Sequence, residues 1–473
     1  MFFRLFYNQP LAQASYLIGC QQTDEAIVID PIRDIAQYLH VAASEGLRIT
    51  HVTETHIHAD YVSGSRELAA ATGAKLFLSG EGGADWQYRF AASDGATLVH
   101  DGDVIRVGNI VFKVMHTPGH TPEHISFVVT DTPRAAGPMG IITGDFVFVG
   151  DVGRPDLLER AAGVANTMEA GAHALFSSLE RFRALPDHLQ VWPAHGAGSA
   201  CGKALGAVPS STVGYEKLSN WGVAESDEKQ FVVNVLDGQP EPPRYFAHMK
   251  RINRDGPPVL GGMPVPKRLD ASSIVGLSPE TWIIDLRKTR PFADAHIPRS
   301  LSVPYNRKFT TQAGSLVPYD ADIVLLAPST DDKTPSIVPA AMHDLTLIGM
   351  DRVVGWMDTR EAMDAWQKAG NKLAATEQMT VDQLADWSGE ALTVIDVRGE
   401  SEWRAGHLPD AVHIPLGELP DRLDELPTTG LVLQCQGGSR SAVAASLLQR
   451  MGRDDVKNLA GGYTAWHARS IPV

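Results

Sequence analysis

The sequence predicts an α/β fold divided among several domains, and three observations predict it. First, the chain has 473 residues, more than one hydrophobic core ordinarily organises. Second, short β-branched runs alternate with helix-period patterns through residues 1–245. Third, the second half contains an internal repeat. Asp285, Arg287, Phe292, His296, Pro298 and Pro304 recur as Asp396, Arg398, Trp403, His407, Pro409 and Pro415, every position displaced by 111 residues as Asp285 is from Asp396.

Taken in order, residues 26–30, 110–114 and 140–143 read as strands, and 34–45 and 65–72 as helices. Proline- and glycine-rich stretches at 239–243, 255–258 and 261–264 predict a linker over 246–265. Each repeat then runs into an apolar strand, 323–326 in the first and 431–433 in the second, giving α/β domains over 266–372 and 373–473. Hydrophobic residues make up 44% and charged residues 21%, a soluble globular composition. No apolar run approaches the ~20 residues of a membrane span. The first residues lack the pattern of a signal peptide. A net charge of −15 argues against nucleic acid and acidic membranes as partners. Three widely spaced cysteines, Cys20, Cys201 and Cys435, predict a reducing cytoplasm rather than a disulfide framework.

Four segments in the first 245 residues carry ligand-type side chains after apparent strands. They contain His56, His58, Asp60 and Tyr61; then His120 in Pro-Gly-His-Thr; then Asp145 in Thr-Gly-Asp; then His195 in Pro-Ala-His. A strand ending in His-x-His-x-Asp delivers imidazoles and a carboxylate into one loop, where several can meet one cation. Imidazole with carboxylate suits iron, zinc or manganese.

These motifs resemble the metal signature of the metallo-β-lactamase superfamily over residues 1–245, which implies an αββα sandwich with metal at one sheet edge. Glyoxalase II hydrolases and persulfide dioxygenases are the similar branches. In the former a histidine follows the motif aspartate and binds a second metal; here Tyr61 stands there, and a neutral phenol is a poor replacement. The resemblance to persulfide dioxygenases implies one Fe(II) per chain held by His56, His120 and Asp145, with three positions open to substrate and O2. His58, Asp60, Tyr61 and His195 are then expected to orient ligands or waters. It also implies that Arg154 grips the carboxylate end of a thiol carrier: glutathione, coenzyme A or another. The stretch after His195 lacks the aromatic residue that helps hold glutathione, and it places Cys201 where a thiol could relay sulfane sulfur.

In the second repeat, Cys435 follows a strand and precedes Gln436, Gly437, Gly438, Ser439, Arg440, Ser441 and a helical pattern. A cysteine at a helix N-terminus is favoured as thiolate, and glycines let the backbone curl around an anion on that sulfur. From about residue 376 onward the unit resembles the rhodanese domain. That implies a Cys435 persulfide cradled by amides from Gln436 to Ser441, with Arg440 favouring the anion and Arg398 meeting an anionic substrate. In the first repeat Ala327 stands at the cysteine position, followed by an acidic, glycine-free stretch to Pro335. That repeat is expected to be catalytically silent.

Together the resemblances imply a persulfide dioxygenase fused to a sulfurtransferase, with persulfides, O2, sulfite and thiosulfate as small-molecule partners and sulfide detoxification as the role. A homo-oligomer is expected. A glyoxalase II-like thioester hydrolase fused to a rhodanese, and a non-enzymatic sulfur carrier or sensor, are the alternatives.

Overall fold

In the computed structural model, residues 1–160, 167–328 and 336–469 are described. They form two compact units, Met1–Met263 with Leu347–Gly349, and Pro264–Thr346 with Met350–Val473.

The first unit contains two six-stranded sheets. β1 (Phe2–Asn8), β2 (Gln13–Cys20), β3 (Glu25–Ile29), β4 (Arg48–Thr53), β5 (Lys75–Ser79) and β6 (Thr97–Val99) lie side by side in chain order. The second sheet runs β7 (Val104–Val107), β8 (Ile110–His116), β9 (Ile125–Asp131), β10 (Gly140–Gly144), β11 (Gln190–Pro193) and β12 (Ser211–Thr212). Their facing sides share one core, in which Tyr16, Ile18, Ile27 and Ile29 meet Phe112, Val114, Phe127, Val129 and Ile142. Burying that much apolar surface is what holds the sheets face to face. On the far side of the second sheet, Ile141 and Val191 pack against Leu175, Leu179 and Phe182 of the helix Met168–Arg183. The helices Ala36–Ser44 and Ser65–Thr72 contact β4 of the first sheet. The architecture is therefore the expected αββα sandwich. β8, β10 and β11 end at one edge of their sheet, where β4 also ends, and the four ligand-bearing segments follow these four strands.

The expected linker over 246–265 is corrected. A helix, Phe246–Asp255, occupies its first half, with Phe246, Met249 and Asn253 buried. Asn253 Nδ2 donates to the carbonyls of His58 (2.8 Å) and Tyr61 (2.7 Å), and its Oδ1 accepts from the Ser63 N–H at 2.9 Å. Beyond it, the N–H groups of Leu260, Gly261 and Gly262 donate to the buried Glu67 carboxylate. Proline and glycine here punctuate a packed segment.

In the second unit, each repeat has its own parallel sheet. The first is ordered β14 (Ser300–Ser302), β13 (Trp282–Asp285), β15 (Ile323–Ala327), β16 (Val353–Asp358). The second is ordered β17 (Glu377–Met379), β21 (Val456–Leu459), β20 (Gly430–Gln434), β18 (Leu392–Asp396), β19 (Val412–His413). The repeats match in detail. Arg287 pairs with Asp285 at 2.7 Å and donates to the Ala295 carbonyl; Arg398 pairs with Asp396 at 2.8 Å and donates to the Gly406 carbonyl. Phe292 stacks on His296 at 4.0 Å, and Trp403 on His407 at 3.6 Å. Asp285 lies opposite Leu326, and Asp396 opposite Gln434, so the next residues, Ala327 and Cys435, hold equivalent places. Most of the acidic stretch after Ala327, residues 329–335, lies outside the described residues.

The repeats are packed on one another through the helix Ser439–Arg450. Ser446 Oγ accepts from the Ser302 N–H at 3.0 Å, and the Arg450 guanidinium lies 4.0 Å from the Trp282 ring centre while donating to the Arg299 carbonyl. Among the described residues no helix is long and apolar enough to cross a membrane.

Replacing Asn253 by alanine strips partners from three buried backbone groups, each worth about 1–3 kcal/mol when left unpaired. Asn253→Ala should lower the first unit's unfolding temperature by several degrees in calorimetry; an unchanged transition would mean that this helix does not brace the His58–Tyr61 loop.

Candidate metal centre and cysteine loop

At the common strand edge, donor atoms of His56, His120 and Asp145 lie within 4.8 Å of one another, all buried. His120 Nε2 is 3.5 Å and His56 Nε2 3.9 Å from Asp145 Oδ2. Donors about 2.1 Å from one cation stand roughly 3 Å apart when adjacent and about 4.2 Å when opposite, so the spacing fits a metal.

Hydrogen bonding aims these rings. Thr55 Oγ1 donates to Asp30 (2.9 Å), so the His56 Nδ1–H donates to Thr55 and its Nε2 lone pair is left facing the site. The His120 Nδ1–H donates to the Arg154 carbonyl at 3.1 Å with the same result, as does the His195 Nδ1–H to the Ala12 carbonyl at 2.9 Å. Burial and the imidazoles around them hold His56 and His120 well below the usual histidine range, so both stay neutral as ligation requires. Burial lifts the Asp145 carboxyl to about 6 against the pull of His195. Neither Asp145 oxygen accepts a well-formed hydrogen bond among the described residues, and Asp60 Oδ2 and His195 Nε2 also lack partners. Buried polar atoms left this way are what a cation would satisfy.

The other expected residues have distinct places. His58 Nε2 lies 3.1 Å from Asp30 Oδ1; burial is outweighed by Asp30 and neighbouring carboxylates, which raise it to about 9. Its Nε2 is thus engaged by Asp30, and it is not among the three grouped donors. The Tyr61 hydroxyl donates to the Asp30 carbonyl at 3.2 Å. Asp60, His195 and Cys201 form a second donor group within 4.8 Å, next to Asp145. His195 Nε2 is 3.4 Å from Asp60 and 3.5 Å from Asp145. Burial, then Asp145 and Asp60, push the Cys201 thiol well above its usual range, which keeps it protonated.

Arg154 is corrected. Its side chain is fully buried, held by Asp156 through two 2.7 Å bonds and donating to the Ala200 carbonyl at 2.9 Å, so it braces the loop before Cys201 and leaves no guanidinium edge for a carrier. Two residues that the motifs did not flag matter here. Asp30, at φ 53°, accepts from the Thr55 N–H and hydroxyl and faces His58. His124 Nε2 accepts from the Asp145 N–H at 3.0 Å and stacks on His56. The spacing of His120 and His124 was the only sequence signal for His124, and no local pattern marked Asp30.

In the second unit, the Gly438 N–H points at Cys435 Sγ from 3.1 Å and the Ser441 hydroxyl from 3.4 Å. Gly462, at φ 53°, lets the chain pass so close that a Cβ there would sit 2.0 Å from the Cys435 carbonyl. Gln436 donates to Thr464 and accepts from Arg398, while Gly437 and Ser439 are exposed. Arg398 is also corrected: it is buried, held by Asp396, Gly406 and Gln436 and stacked on Tyr463, and its counterpart Arg287 is held alike in the repeat without the cysteine. Arg440 is engaged at both terminal nitrogens by Glu402, each bond 2.6 Å.

An αββα sandwich with histidine and carboxylate donors at one sheet edge, joined to a parallel-sheet unit with a cysteine loop, defines a metal-binding protein of fused type. The family model described as Metallo-beta-lactamase superfamily matches residues 8–195, and that described as Rhodanese-like domain matches 380–469. A solved metallo-beta-lactamase from Staphylococcus aureus subsp. aureus COL is 44% identical, covers 76% of this chain and 99% of its own, and superposes with a TM-score of 0.69. The chain belongs to the metallo-β-lactamase superfamily and carries a rhodanese-like domain in its second unit. Persulfide dioxygenase ETHE1, mitochondrial, of Bos taurus is 31% identical over 38% of this chain and 63% of its own length. A hydroxyacylglutathione hydrolase of Polaromonas sp. is 34% identical over 41% of this chain and 65% of its own. The chain thus spans just under two thirds of these curated relatives.

Asp145→Ala should abolish retention of metal, measured by elemental analysis of the purified protein, while Cys435 still takes up sulfur from a persulfide. Metal retained at the wild-type level would place the ligands elsewhere.

Proposed function

We propose that the chain oxidises a low-molecular-weight persulfide with O2 and water to thiol and sulfite at one Fe(II), and passes sulfane sulfur through Cys435 to give thiosulfate, a route of sulfide detoxification in the cytoplasm. The observation that carries this reading is the three-donor group of His56, His120 and Asp145, beside a Tyr61 hydroxyl turned to the Asp30 carbonyl rather than into the site. Two imidazoles and a carboxylate would hold iron with positions open for persulfide and O2, and the iron would supply the redox chemistry. The chain's own part is to keep both imidazoles neutral and their Nε2 atoms aimed. Its similarity to a persulfide dioxygenase, and a superfamily match whose residues 8–195 include this site, support the same reading.

At the second site, the Cys435 thiolate attacks the terminal sulfur of a persulfide, forming a Cys435–sulfur bond as the carrier thiol leaves. Sulfite then takes that sulfur as thiosulfate and restores the thiolate. The Gly438 N–H and Ser441 hydroxyl are placed to stabilise negative charge on Sγ.

The group of Asp60, His195 and Cys201 beside Asp145 favours a second reading, a two-metal hydrolase of thioesters. Elemental analysis of protein purified without added metal separates them: one iron per chain is expected, and two metals per chain would favour hydrolysis. Cys435→Ser should preserve O2-dependent persulfide consumption yet shift the product from thiosulfate to sulfite. Thiosulfate formed at the wild-type rate by that variant would remove the sulfurtransferase half of the proposal.

A further inference from the structure

Arg440 is the only cation in the loop from Cys435 to Ser441, and the sequence alone places it as the group that attracts an anion to the sulfur. Its guanidinium faces the Cys435 sulfur but is shared with a carboxylate. Nη1 and Nη2 donate in parallel to the two oxygens of Glu402, from the helix Glu400–Arg404. Both side chains are about one third exposed, 33% and 34%, so the pair sits at the mouth of the loop where an incoming molecule meets it. A two-point carboxylate pair is the strongest form of such contact and cancels the charge of the arginine at short range. The other nearby guanidinium, Arg398, is held by Asp396 in the same way.

The internal repeat shows which pairs belong to the scaffold and which do not. The Asp285–Arg287 pair and the Phe292–His296 stack survive in the repeat that has Ala327 for cysteine. The place of Glu402, by the displacement of 111, is held there by Pro291. The carboxylate accompanies the cysteine, not the fold.

We propose that Glu402 is a specificity-determining residue: by occupying Arg440 it leaves the Cys435 loop without net positive charge, and so favours persulfides, with at most one charge at the reacting end, over the dianion thiosulfate as sulfur donor. The proposal rests on the reading of Cys435 as a sulfur acceptor. With a persulfide, the thiolate bonds to the terminal sulfur, the sulfur–sulfur bond to the carrier breaks, and the carrier leaves as thiolate. With thiosulfate the same attack expels sulfite, and three negative charges must gather beside a cation already neutralised.

Sulfur uptake on Cys435 can be followed by mass spectrometry in the full-length protein without O2, using the persulfide of 2-mercaptoethanol and thiosulfate as donors. In Glu402→Gln the ratio of kcat/KM for persulfide to that for thiosulfate should fall about tenfold, chiefly through a lower thiosulfate KM, as expected for one unit charge removed a few ångströms away. Glu402→Asp, which keeps the charge, should stay near the wild-type ratio. A ratio that falls in both variants, or in neither, overturns the role of Glu402. If wild-type Cys435 takes sulfur from neither donor, the sulfurtransferase reading itself fails, and this proposal with it.

Discussion

The carboxylate of Asp145 is fully buried, and neither oxygen accepts a well-formed hydrogen bond among the described residues. A lone carboxylate in such surroundings costs several kcal/mol unless a cation stands against it. Much of the first unit is arranged so that this group can be nowhere else. Gly144 turns the chain at φ 52° where a Cβ would strike Thr55 and His124, and the Asp145 N–H is received by His124. Gly153 passes so near that a Cβ would meet the Asp145 carbonyl. The sandwich core fixes the strand ends, the strand ends fix the imidazoles, and the imidazoles face one carboxylate that needs a positive partner.

The second unit holds its chemistry differently. Its framework is written twice, once with a cysteine and once with Ala327, so the chain contains its own comparison. Ion pairs and ring stacks common to both repeats belong to folding, because they persist where no thiol needs them. Cys435 occurs once, with Ala327 at its place in the other repeat. The site in the second unit is thus an addition to a shared scaffold, whereas the metal centre is built from the ends of the strands themselves.

What could be read in advance follows from this difference. His56, His120 and Asp145 sit in short motifs at strand ends, and strand ends are visible in β-branched runs. Asp30 closes a strand too, but its importance comes from Thr55 and His58, partners 25 and 28 residues away that no local pattern connects. Arg154 and Arg398 looked available because an exposed and a buried arginine have the same letter. In each case an aspartate two residues away, Asp156 or Asp396, takes the guanidinium. The presence of the same Asp-x-Arg pattern in the repeat without the cysteine was the signal that Arg398 serves the fold. The helix Phe246–Asp255 was hidden by the prolines around it, although Phe246, Met249 and Asn253 follow a helical stripe.

The helix Ser439–Arg450 begins at the cysteine loop and ends against Trp282 and the Arg299 carbonyl of the other repeat. One helix therefore has the cysteine loop at its start in one repeat and its anchor in the other. A repeat without the cysteine could drift harmlessly if it stood apart. Here drift in the repeat with Ala327 would tilt the helix and move the loop at its tip. The repeat that carries Ala327 therefore steadies the place of a thiol that it does not itself possess.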